Sequence, residues 1–131
     1  LHASMQDHGV EARFFVDVPQ PEQRVDATAH LRRHLGRFLK DNWPFGAPCP
    51  RLFYDKRSLV PGPPYHSLHA KCVVVDGMKA FVSSANFTQR GQERNIEVGV
   101  LIDDPSFASF LGTQWIRLID GGLVGEFSAA T

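Results

Sequence analysis

Two apolar segments joined by a short glycine-containing turn place the strongest constraint on how this chain folds. HAKCVVVD (69–76) is followed by Gly77 and Met78 and then by KAFVSS (79–84). Such β-branched and aromatic runs favour strands, and a two-residue connection of this kind favours a tight antiparallel hairpin. Five polar residues lie in or next to these strands: a histidine, a lysine, an aspartate, a serine and an asparagine. An ordinary strand pair could account for any one of them, but not readily for all five.

The rest of the chain alternates helix and strand patterns and then continues as a cluster of strands. Apolar residues at positions i, i+4, i+7 and i+8 after an Asp26 cap predict a helix that runs to about Asn42. The pattern elsewhere predicts a helix over 1–9 ending at Gly9, strands over 10–18, 51–55 and 95–103, a helix from Pro105 and a short apolar end over 123–127. This order of elements indicates one α/β layer domain.

Composition limits the classes of protein to which the chain can belong. It has 131 residues, of which 43% are hydrophobic and 21% charged, so a globular domain is expected. The 14 basic and 14 acidic residues balance, which argues against wholesale wrapping of nucleic acid but allows a local basic groove. Cys49 and Cys72 form no CxxC pair, so a reducing cytoplasm is the expected compartment. We identify no signal peptide and no run of 18 apolar residues, and expect no membrane partner.

The polar residues of the hairpin region have a fixed spacing, His69-x-Lys71-x4-Asp76-x7-Ser84-x-Asn86. This spacing resembles the HKD motif of the phospholipase D superfamily, usually written HxKx4Dx6GSxN, with Ser83 in place of the glycine. The resemblance implies a phospholipase D-like half domain, with a mixed central sheet flanked by helices, as a single domain over residues 1–131. Because the chain begins at Leu1 in the middle of a predicted helix, we expect a fragment that lacks the first strand or more at its N-terminus.

The residue types of the motif suit phosphoryl transfer. Alternate strand residues face the same side, so His69 and Lys71 are expected to project together. An imidazole is a competent nucleophile at neutral pH, and an adjacent ammonium can neutralise a phosphate oxygen. Ser84 and Asn86 share a parity and can supply neutral donors. The resemblance implies that His69 forms a phosphohistidine while Lys71 and Asn86 hold the non-bridging oxygens and Ser84 assists.

Two acidic residues receive supporting roles. Related nucleases carry a glutamate, here Glu97, that accepts a hydrogen bond from the far nitrogen of the histidine and fixes its tautomer. Asp76 is expected to brace the hairpin and Lys71 rather than to touch substrate.

The chain carries one HKD motif, although the reaction also needs a group that protonates the leaving alkoxide. His66 is too near on the same loop to be a convincing donor. Single-motif nucleases of the family dimerise, so we expect a homodimer in which two copies of His69 share one site. We expect neither a cofactor nor a metal, because His30 and His34, at i and i+4, have no third ligand in view.

Basic residues indicate nucleic acid as the substrate. One helix carries a cluster of them, Arg32, Arg33, Arg37 and Lys40, which is either a phosphate contact or a solvated face. Arg90 and Arg94 are better placed near the motif. The stretch 83–102 is similar to bacterial members associated with phage defence, including the phospholipase D-like subunit of DISARM-type systems, which would add other defence subunits as partners. A metal-independent nuclease is therefore the first hypothesis. A lipid phosphodiesterase or transphosphatidylase and a noncatalytic interaction subunit are the alternatives.

Overall fold

The structure, a computed structural model, describes residues 1–88 and 93–128, which belong to two compact units. One unit comprises residues 1–68 and the segment that begins at Gly122, and the other comprises residues 69–121. The first contains α1 (His2–His8), β1 (Arg13–Phe15), α2 (Ala27–Asn42), β2 (Arg51–Asp55), a 3-10 turn (Lys56–Leu59) and β6 (Val124–Phe127). The second contains β3 (Cys72–Val75), β4 (Lys79–Ser83), β5 (Gly99–Ile102) and α3 (Pro105–Asp120). The predicted α/β class is confirmed.

The helices of the first unit have the predicted ends. α1 is followed by Gly9, whose φ of 66° is left-handed and is adopted by glycine without strain. α2 begins after Asp26, whose carboxylate accepts a hydrogen bond from the Ala29 N–H at 2.7 Å. This contact satisfies one of the free N–H groups of the first turn, as the sequence predicts.

The core of the first unit lies along the apolar face of α2. Phe38 and Leu39 pack against it from the predicted i+7 and i+8 positions. The buried residues of this core are Val18, Leu31, Leu35 and Leu52. Val18 is only 1% exposed, so the segment that follows β1 is anchored in the core by its own side chain.

The sheet of the first unit is mixed, with the order β1-β2-β6. β1 runs parallel to β2, with Arg13 opposite Arg51, and β6 runs antiparallel on the other side of β2. The strand predicted over 10–18 contains only Arg13–Phe15, although single backbone hydrogen bonds from Arg51 to Ala12 and from Val16 to Phe53 extend the ladder at both ends.

The second unit is built on the predicted hairpin. β4 lies between β3 and β5, and both pairings are antiparallel. Asp76 and Gly77 have left-handed φ values of 53° and 64°, and the Met78 N–H donates to the Val75 carbonyl at 2.9 Å. These are the features of a tight Asp-Gly turn. Within the described residues, the strands pair in two three-stranded sheets.

Two strands of the second unit begin later than predicted. At both places a backbone N–H donates to a serine hydroxyl instead of to a carbonyl of the neighbouring strand. The Ala85 N–H donates to Ser83 Oγ at 3.0 Å, so no ladder forms opposite His69 and β3 begins at Cys72. The Val98 N–H donates to Ser84 Oγ at 3.1 Å, and β5 begins at Gly99 instead of residue 95. Serine side chains compete with sheet hydrogen bonds in this way.

The histidine pair of α2 is a stacked pair. The ring centroids of His30 and His34 lie 5.6 Å apart, and His30 Nε2 is 2.7 Å from the Pro19 carbonyl oxygen. Burial, followed by the charge of His30, lowers the pKa of His34 below its usual 6.5, while Asp17 opposes the shift and Arg37 adds to it. Within the described residues no group of three or more His, Cys, Asp or Glu side chains could hold a metal ion.

This lowered pKa predicts a loss of stability in mild acid. The unfolded chain binds a proton at this position more readily than the folded chain, so the free energy of unfolding falls as the pH drops below about 6.5. Urea denaturation of the wild type and of His34→Gln between pH 7.5 and 5.5 measures how the free energy of unfolding depends on pH. We expect a flatter pH dependence in the variant, and equal slopes for the two proteins would contradict the assignment.

Candidate active site

His69 and Lys71 lie in the extended segment directly before β3. The Ser83 N–H donates to the Lys71 carbonyl at 2.9 Å, so the strand pairing reaches Lys71 but not His69. Lys71 Nζ donates to the His69 carbonyl at 2.6 Å, which holds the ammonium next to the histidine backbone. The His69 side chain is exposed, and its ring has no hydrogen-bond partner among the described residues. An unengaged imidazole beside a cation is suited to meet a phosphate.

Ser84 and Glu97 are joined by a short hydrogen bond. Ser84 Oγ donates to one carboxylate oxygen of Glu97 at 2.5 Å, and Asn95 Nδ2 donates to the other at 3.0 Å. The hydrogen bond from Ser84, then that from Asn95 and the positive charge of Lys71, hold the pKa of Glu97 below its usual value of 4.5. Glu97 is therefore an ionised carboxylate at neutral pH.

The partner of Glu97 differs from the prediction. Its two carboxylate oxygens are hydrogen-bonded to Ser84 and Asn95, and the predicted bond to His69 is not formed. The Ser84 N–H donates to the Val98 carbonyl at 3.0 Å, which places residue 97 beside the serine. An orienting role of Glu97 toward His69 stays a prediction.

Ser83, which stands at the usual glycine of the motif, uses its hydroxyl within the backbone. Ser83 Oγ accepts the Ala85 N–H at 3.0 Å and lies 3.4 Å from the Val98 carbonyl oxygen, to which it donates. The added side chain thus stabilises the turn that carries Ser84.

Asp76 serves the turn of the hairpin. Its left-handed φ of 53° is tolerated by aspartate better than by most residues. Among the ion pairs of the described part of the chain, none joins Asp76 to Lys71, so the predicted brace on Lys71 is not formed. The Lys71 ammonium donates to the His69 carbonyl instead.

The other predicted residues lie after β4. Asn86 is exposed, and its backbone carbonyl accepts the Thr88 N–H at 2.7 Å. Arg94 is also exposed. Arg90 lies outside the described residues. The structure leaves the role of all three as predictions.

An open groove of about 600 Å³ connects the motif with α3. It is lined by the predicted residues His69, Lys71 and Ser84 on one side and by apolar residues of α3 on the other. These are Phe107, Leu111 and Trp115. Their spacing at i, i+4 and i+8 is visible in the sequence and marks one helix face, although nothing in the sequence alone places that face beside the motif. A phosphodiester bound here would have its phosphate near Lys71 and an apolar wall beside it.

Comparisons with known proteins identify a family and one partly similar relative. The family model described as "Cardiolipin synthase, PLD-like domain" matches residues 3–118. A segment of 38 residues is 58% identical to the DISARM protein DrmC of Bacillus paralicheniformis, and this match covers 29% of the chain and 16% of that protein. The chain thus spans about a sixth of the relative's length. No solved structure matches the chain with significance.

One family model covers most of the chain, and His69, Lys71 and Ser84 line one groove. The chain belongs to the family of phospholipase D-like domains typified by cardiolipin synthase.

Proposed function

We propose that this protein is a metal-independent phosphodiesterase, and specifically a nuclease that acts through a phosphohistidine. The observation that carries the proposal is the convergence of His69, Lys71 and Ser84 on one groove. These are the proposed nucleophile, a cation and a serine hydroxyl that would have to turn away from Glu97 to donate to a phosphate. Phosphodiesterase chemistry of this kind is what the family fold supports.

The proposed reaction has two displacement steps. In the first, a ring nitrogen of His69 attacks phosphorus, a phosphorus–nitrogen bond forms and the bond to the leaving alkoxide breaks. Lys71 and Asn86 stabilise the charge on the non-bridging oxygens. In the second, water attacks the phosphohistidine, which breaks the phosphorus–nitrogen bond and frees His69.

Each step also needs a proton carrier that is not the nucleophile itself. The leaving alkoxide must take up a proton, and the attacking water must lose one. His66 lies near Asp55, whose pKa is lowered first by the hydrogen bonds from Arg57 and last by the charge of His66. The proposal is that His69 of a second copy donates the first proton and accepts the second, at a site shared by a homodimer.

Three observations support nucleic acid as the substrate. The relative is a protein of the DISARM system, which suggests phage defence and other subunits as partners. The basic side chains of α2 and Arg94 are exposed and available to a phosphate backbone. Aromatic residues in the groove could stack with bases of a single strand. We place the activity in the cytoplasm.

A lipid phosphodiester is the second candidate, favoured by the family description and by the apolar wall of the groove. None of the described helices is long and apolar enough to cross a membrane. A noncatalytic interaction subunit with the same fold is the third.

The three candidates predict different results in one assay. The protein and His69→Ala are incubated in EDTA with DNA, RNA and phospholipid vesicles. Cleavage of nucleic acid that is lost in His69→Ala supports the proposal. Turnover of lipid alone supports the second candidate, and the absence of any cleavage supports the third.

A further inference from the structure

The backbone directly before His69 is held by a side chain from the segment after β1. Asp17 Oδ1 accepts a hydrogen bond from the Leu68 N–H at 2.7 Å. Leu68 is the residue that precedes His69. This hydrogen bond holds the backbone of the residue to which His69 is attached.

A second side chain of the same segment holds the start of the loop that leads to Leu68. The Gln20 amide donates to the carbonyl oxygens of Val60, Gly62 and Pro64, at 2.7, 3.1 and 3.4 Å. One amide thus gathers three carbonyl groups from five consecutive residues. Gln20 and Asp17 bind the two ends of the loop over residues 60–68.

This loop has little apolar burial of its own. The side chains of Val60 and Tyr65 are 62% and 78% exposed. The segment that holds it is firmly placed, because Val18 is buried in the core between the two clamping residues. Polar contacts from a fixed segment therefore determine where the loop runs.

We propose that Asp17 and Gln20 are positioning residues for the reaction, and that they restrict the backbone freedom of His69 through the loop over residues 60–68. The kinetic part of this inference rests on the proposed function. Asp17 acts through the Leu68 N–H and needs only an acceptor oxygen, so asparagine should replace it. Alanine should not.

The test combines a readout that needs no activity with one that does. Amide hydrogen exchange at Leu68 and carbethoxylation of His69 by diethyl pyrocarbonate are measured for wild type, Asp17→Ala, Asp17→Asn and Gln20→Ala. Asp7→Ala, an exposed aspartate of α1, is the matched control. We expect Leu68 exchange to rise about tenfold in Asp17→Ala and to stay unchanged in Asp17→Asn and in the control.

The kinetic arm uses the same variants with a cleavable phosphodiester. We expect kcat to fall about tenfold in Asp17→Ala and in Gln20→Ala with KM unchanged, and Asp17→Asn to restore it. Unchanged exchange in Asp17→Ala would overturn the clamp, whether or not the wild type cleaves anything. Faster exchange with unaltered kcat and unaltered carbethoxylation would overturn the positioning role. An inactive wild type would count against the proposed function only, and the exchange and carbethoxylation rates would then decide the inference.

Discussion

Replacement of His69 by alanine is expected to lower the rate of phosphodiester cleavage by at least about 10³-fold, because it removes the proposed nucleophile. The side chain is exposed at the groove, so its loss leaves no cavity in a core and the fold should be retained. Cleavage is followed in EDTA with the substrate that the wild type accepts. Circular dichroism spectra of wild type and variant should superimpose.

His66→Ala is the matched control for this variant. His66 lies three residues earlier in the sequence and is expected to leave the rate within about twofold. If His66→Ala were as inactive as His69→Ala, the assignment of the nucleophile would lose its support. A fully active His69→Ala would refute it.

Replacement of Lys71 by methionine is expected to lower kcat by about 10²- to 10³-fold, with a smaller loss for arginine. Lys71 lines the groove and its ammonium donates to the His69 carbonyl. In the proposed reaction this charge would neutralise the negative charge that develops on the phosphate oxygens. Methionine keeps most of the length of the side chain and removes the charge. The measurement is steady-state cleavage with saturating substrate.

A second readout of the same variant does not depend on cleavage. The charge of Lys71 contributes, after the hydrogen bonds from Ser84 and Asn95, to the low pKa of Glu97, so Lys71→Met should raise that pKa toward 4.5. NMR titration of the Glu97 carboxyl group measures this. Lys79→Met, which breaks the exposed ion pair with Asp103 at 3.2 Å, should change neither the pKa nor kcat. Equal losses of kcat in both lysine variants would contradict a specific role for Lys71.

Local signals in the sequence predicted the local structure well. Asp26 caps α2 and Gly9 ends α1 because each effect involves only neighbouring residues. The hairpin was predicted for the same reason, although its turn residues are Asp76 and Gly77 and not the predicted Gly77 and Met78. His69 and Lys71 are two positions apart, and both line one groove.

The parts that the sequence did not predict depend on contacts between distant or competing groups. The starts of β3 and β5 depend on whether Ser83 and Ser84 use their hydroxyl groups on the backbone, a choice that strand propensity does not contain. The hydrogen bonds from Ser84 and Asn95 to Glu97 were not predicted, and the orienting role of Glu97 toward His69 stays a prediction. The apolar face of α3 that contains Phe107 lines the groove because α3 packs on the hairpin, and the sequence did not predict this packing.

The hydrogen bonds of Asp17 and Gln20 that hold the loop before His69 could not be predicted from the sequence either. Asp17 and Leu68 are 51 positions apart, and Gln20 lies 40 or more positions from the carbonyl groups that it binds. No periodicity relates such positions. Side-chain to backbone bonds of this range become visible only when the fold brings the segments together.

The central claim is that two chains share one active site, and the activity of mixed dimers tests it most directly. Wild-type protein and His69→Ala are refolded together in equal amounts, and cleavage is compared with that of the wild type refolded alone at the same total concentration. If both copies of His69 serve one site, only dimers with two intact copies turn over, and about one quarter of the activity remains. About one half of the activity remaining would show that each chain completes its own site, and would contradict the shared site.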